Sequence, residues 1–110
     1  MDSGVELRHS ELKTVVAGTS FINDGRGVGD CKGHGTAAAS VVAGATLGVA
    51  PGATVIAVRI LDCNGVGTVS GTLNGLKYVL DSVNNATAAA TKAGTKAKRS
   101  VVNLSIGTGQ

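Results

Sequence analysis

Tryptophan is absent from this chain, and tyrosine, phenylalanine, proline and methionine occur once each. With almost no rings to fill space, a core has to be built from Val, Ala, Leu and Ile at close range. That suits a parallel sheet covered by small-residue helices. Charged residues are also sparse at 15%, against 43% hydrophobic, a balance that favours a globular chain over a disordered one. No apolar run approaches the roughly 18 residues needed to cross a bilayer, so no membrane partner is expected. The chain does not open with the basic, apolar and cleavage-site pattern of a signal peptide. Its net charge of +3 comes largely from Lys92, Lys96, Lys98 and Arg99. That cluster is local and lacks an accompanying aromatic or basic stripe, which argues for a solvated loop and against a nucleic-acid partner.

What is plentiful is glycine, with 17 residues in 110, a length that fits one small domain or a piece of a larger one. The apolar segments alternate in type. Residues 14–22 are β-branched and read as a strand, and 36–44 read as a short Ala/Val helix stopping at Gly44. Residues 54–61 form a nearly continuous apolar run, the mark of a strand buried on both faces. Val69, Leu73, Leu76, Val79, Leu80 and Val83 then recur at spacings of three and four, predicting a helix with one apolar stripe and Thr68 or Ser70 as its N-cap. Residues 100–105 close the pattern as a further strand. The order strand, helix, strand, helix, strand predicts an α/β fold with a parallel sheet. Residues 23–33 and 48–52 read as loops, and the low-complexity stretch 84–98 as a surface excursion.

The chemistry sits in a set of short motifs. Gly33-His34-Gly35-Thr36 stands at the mouth of the first helix, downstream of Asp2-Ser3-Gly4. Gly48-Val-Ala-Pro-Gly52 and Val58-Arg-Ile-Leu-Asp62 follow, then Gly65-Val-Gly67-Thr-Val-Ser70, and lastly Asn103-Leu-Ser-Ile-Gly107. In this order, over nearly the whole chain, the motifs resemble those of the subtilases, the superfamily of subtilisin and proteinase K. The resemblance implies an incomplete subtilisin-like fold and a serine-type endopeptidase that hydrolyses peptide bonds. His34 matches the general base, a role suited to a side chain that titrates near neutrality. Asp2 matches the carboxylate that orients the imidazole. Ser105, Ile106 and Gly107 match the strand that pairs with an extended substrate, and Val66, Gly67 and Thr68 the opposing edge. Polypeptide substrates and an inhibitory pro-segment are the implied partners. No cofactor is implied for the reaction; structural calcium is common in the family, but no residue here is assigned to it.

Cys31 and Cys63 resemble the paired cysteines of some secreted, proteinase K-like members, which implies a disulfide and an oxidising, extracellular location. Two free thiols, or a metal site of Cys31, His34 and Cys63 with His9, are the competing readings. Asn85-Ala-Thr87 and Asn103-Leu-Ser105 fit the glycosylation triplet, the second discounted as part of a buried strand. Departures from the family pattern fall at Ala37, Ser40 and Thr108. The family's oxyanion asparagine and its G-T-S-x-A nucleophile have no counterpart in residues 1–110. The chain is therefore expected to be a partial catalytic domain, starting late and inactive by itself. Alternatives are a non-catalytic subtilase-like pseudoenzyme and a nucleotide-binding α/β module. The latter is suggested by the formal G-x-G-x-x-A match at 33–38, although no strand immediately precedes it and no acidic residue lies about twenty positions on.

Overall fold

A computed structural model describes residues 1–107. Strand β1 (Val15–Ser20) leads through a glycine-rich loop to helix α1 (His34–Ala43). Strand β2 (Val55–Arg59) and helix α2 (Val69–Ala93) follow. The strands pair in parallel, Val15 opposite Val55 and Ser20 opposite Arg59, with a bulge between Ala17 and Thr19. Neighbouring peptide groups of a strand point to opposite edges, and β2 uses both. On one side the Val55 amide donates to the Thr14 carbonyl and the Phe21 amide to the Arg59 carbonyl. On the other, the Asp2 amide donates to the Val58 carbonyl at 3.1 Å and the Ile60 amide to the Asp2 carbonyl at 2.8 Å. β2 is thus central, with the N-terminus bridging its far edge at Asp2 and Arg59.

The core is small and aliphatic, as the shortage of rings requires. Val5, Leu12, Val28, Ala39 and Ala57 form its centre, with Val15 and Val55 packed against them. The buried residues of α1 are Gly35, Ala39 and Ala43, one face at helical spacing. The α/β class with a parallel sheet is as the sequence predicts.

Three expectations need correction. α2 runs on through residues 84–93, which were expected in a loop. That stretch is rich in alanine, the best helix former, and meets no breaker until Gly94, whose left-handed conformation ends the helix. Residues 100–105 form no strand. An extended apolar segment becomes a strand only when a neighbour supplies a ladder, and among the described residues none does so for 95–107. Burial also falls short of the pattern. Val69, Leu73, Leu76 and Leu80 are exposed along α2, and Ile56 is 55% exposed in β2. The buried residue of α2 is Gly75, which sits against the side chains of Met1, Ile60 and Val58.

Candidate active site

Bridging to β2 fixes Asp2 at the end of the central strand, with its side chain only 8% exposed. One carboxylate oxygen accepts the Ser3 amide at 2.7 Å. His34, the first residue of α1, brings its Nδ1 to 2.8 Å and 3.0 Å from the two oxygens of the same carboxylate. The imidazole is half exposed, at 52%. A histidine with one nitrogen on a buried carboxylate and the other open can take up a proton there, with the carboxylate fixing its tautomer.

Two glycines permit this approach, for different reasons. A side chain on Gly35 would run into the Gly4 carbonyl, because the Asp2-Ser3-Gly4 backbone lies directly on the first turn of α1. Gly33 has open space around it but takes φ 91°, a left-handed conformation that turns the loop into the helix.

Sequence reasoning missed the polar frame around this pair. Asp30 accepts the Gly33 amide at 2.8 Å and the Lys32 amide at 3.0 Å on one oxygen, and the Thr36 amide and hydroxyl on the other. It also accepts the Ser3 hydroxyl at 2.8 Å. Burial opposes its ionisation, but hydrogen bonds from Thr36, Gly33 and Ser3 outweigh that and hold its pKa down at about 2. This carboxylate occupies the position at the start of α1 that a nucleotide phosphate would need, which removes the basis for the dinucleotide reading. An aspartate just ahead of a helix start was the available signal.

Arg59 is fully buried in β2. Its guanidinium makes a bidentate pair with Asp24 at 2.7 Å to each oxygen, and Nε donates to the Ser3 carbonyl at 3.2 Å. The hydrogen bond from Arg59 pulls the Asp24 pKa down to about 2. One charged residue inside an apolar strand was the sign that a partner must exist.

Cys31 and Cys63 are joined in a disulfide, with Cα atoms 4.9 Å apart and the residues 32 positions apart in sequence. The bond ties the loop before His34 to the turn after β2. It also occupies both thiols, so the Cys/His metal arrangement has no ligands left from them. Among the described residues the other grouping of acidic and sulfur side chains is Asp24 with these same two cysteines. Reducing the disulfide is expected to lower stability by about 3–4 kcal/mol on the loop-entropy model. Urea unfolding with and without a reductant measures this; coincident midpoints would contradict it.

His34 also lines an open groove of about 850 Å³, together with Val66, Gly67, Thr68, Ser105, Ile106 and Gly107. Asp2 is not among the lining residues; it stands behind the imidazole. Residues 66–68 are held by Asp62, which accepts the Asn64 and Val66 amides, and by Thr68, whose hydroxyl caps α2 by accepting the Gly71 amide at 2.9 Å. Residues 105–107 reach the groove as irregular backbone, with Asn103 donating to the Ser105 hydroxyl at 2.8 Å. Asn103 is exposed, so burial does not discount its glycosylation triplet, and Asn85 is exposed on α2. Thr108 lies outside the described residues.

The model of the subtilase family matches residues 1–110. The chain is 38% identical over 108 residues to "Subtilisin-like protease 7" of Arthroderma otae, covering 97% of this chain and 24% of that protein. It is 36% identical over 110 residues to "Extracellular serine proteinase" of a Thermus species, covering 99% of this chain and 24% of that one. A cold adapted subtilisin-like serine proteinase of known crystal structure superposes with a TM-score of 0.67 at 38% identity, over 71% of this chain and 29% of the other. The chain spans about a quarter of the length of the curated relatives it matches. Among the described residues no helix is long and apolar enough to cross a membrane.

Proposed function

Because this chain belongs to the subtilase family, we propose that it supplies the general base, the orienting carboxylate and two walls of the substrate groove of a secreted serine endopeptidase. The observation that carries this is the 2.8 Å contact from His34 Nδ1 to Asp2 on an imidazole that also faces the groove. Asp2 holds the proton on Nδ1 and leaves Nε2 free to accept the proton of an attacking hydroxyl. The imidazolium so formed is stabilised by the carboxylate and returns the proton to the leaving amine. An extended peptide lying between 66–68 and 105–107 gains main-chain hydrogen bonds whatever its sequence, which implies broad specificity.

These 110 residues contain no G-T-S-x-A segment to supply a nucleophile. The chain by itself is therefore expected to bind peptide without cleaving it, since loss of one triad member costs orders of magnitude in rate. Titrating an extended apolar peptide into isotope-labelled chain is expected to shift amides of 66–68 and 105–107 and the His34 ring. A serine-directed phosphonate is expected to leave the chain unlabelled. Peptide shifts confined to other surfaces, or covalent labelling, would contradict the assignment.

A further inference from the structure

We propose that Asp30 is a positioning residue for the base: it clamps the first turn of α1 onto Ser3 and so keeps His34 Nδ1 on the Asp2 carboxylate. This rests on the reading of His34 as the base. The Asp2 and His34 segments are 32 positions apart, and direct contact between their side chains is one point of attachment. Besides the Glu6 amide, which donates to the Thr36 hydroxyl at 2.9 Å, the polar links of the joint run through Ser3, which is fully buried. Its amide donates to Asp2, its hydroxyl donates to Asp30 and accepts the Gly35 amide at 3.0 Å, and its carbonyl accepts Arg59.

Asp30 therefore grips both sides of His34, at Gly33 and Thr36 in the helix start and at Ser3 in the facing segment. Every partner of this carboxylate donates to it, and the Lys32, Gly33 and Thr36 amides cannot reverse. An asparagine, in either orientation, sets an N–H against at least one of those amides. The carboxylate stays ionised down to about pH 2, so the clamp holds across the neutral range.

The test is the tautomer of neutral His34, read from ring ¹⁵N shifts of the full 110-residue chain, with hydrogen exchange of the β1–β2 amides as a measure of the fold. In the unmodified chain the proton is expected on Nδ1. Asp30→Asn is expected to lower the ratio of Nδ1–H to Nε2–H severalfold while the β1–β2 amides stay protected. Ser3→Ala removes the relay but leaves the Asp30 contacts to α1, and it is expected to do the same; it decides the matter if Asp30→Asn does not fold. An unchanged tautomer in Asp30→Asn, or in Ser3→Ala if that variant alone folds, overturns the role of Asp30 and leaves His34 as the base. A proton on Nε2 in the unmodified chain overturns both.

Discussion

Gly35→Ala is expected to part Asp2 from His34 and to destabilise the chain by about 3 kcal/mol, at the upper end for overpacking because the obstacle is backbone. The added methyl would occupy the space of the Gly4 carbonyl. Gly4 has no room to retreat, since its own Cα faces the Val28 carbonyl and it already holds φ 107°. The α1 start must therefore move outward, carrying His34 from the carboxylate. Gly33→Ala is the informative comparison. It meets no neighbour, and its cost is the left-handed conformation alone, about 1–2 kcal/mol. Urea midpoints for the two variants, read beside the His34 ring shifts, separate the effects. Equal destabilisation with the His34 shifts unchanged would count against this packing account.

Arg59→Met is the second large effect. Methionine fills much of the same volume, but the buried Ser3 carbonyl loses its charged donor, a loss of about 2–3 kcal/mol. Asp24 loses the hydrogen bond that depresses its pKa, which is expected to return toward the ordinary 3.8. The acid dependence follows from the sign of that shift. A carboxylate whose folded pKa lies below its unfolded value contributes stability that is complete above the unfolded pKa and fades as the pH falls through the folded one. For Asp24 and Asp30 the window runs from 3.8 down to about 2. The unmodified chain is expected to lose stability over that window, and Arg59→Met to lose less, having given up the share of Asp24. Thermal midpoints at neutral pH and at about pH 3 compare the two. Parallel acid losses would show that the pair contributes nothing in the folded state.

The legible parts of this molecule were those written in local pattern. β-Branched and apolar runs placed β1 and β2, and the glycine-flanked histidine placed the start of α1. Residues 66–68 and 105–107, singled out by the order of short motifs, line one groove with His34. What stayed hidden depended on partners far along the chain. Residues 100–105 have the composition of a strand but lack a neighbour among the described residues, so composition misled. The end of α2 was obscured because alanine, asparagine and threonine in a repetitive tract look like a loop, although only Gly94 can stop the helix. Asp30 and Arg59 act across 27 and 35 positions, on Ser3 and Asp24 respectively, and no local pattern reports such pairings.

In the proposed role, Asp2 fixes His34 as a base with its proton on Nδ1. The direct measurement is the ring ¹⁵N spectrum of neutral His34 in the unmodified chain and in Asp2→Asn. The proton is predicted on Nδ1 when Asp2 is present and predominantly on Nε2 when it is replaced. A proton on Nε2 in both chains would contradict the claim.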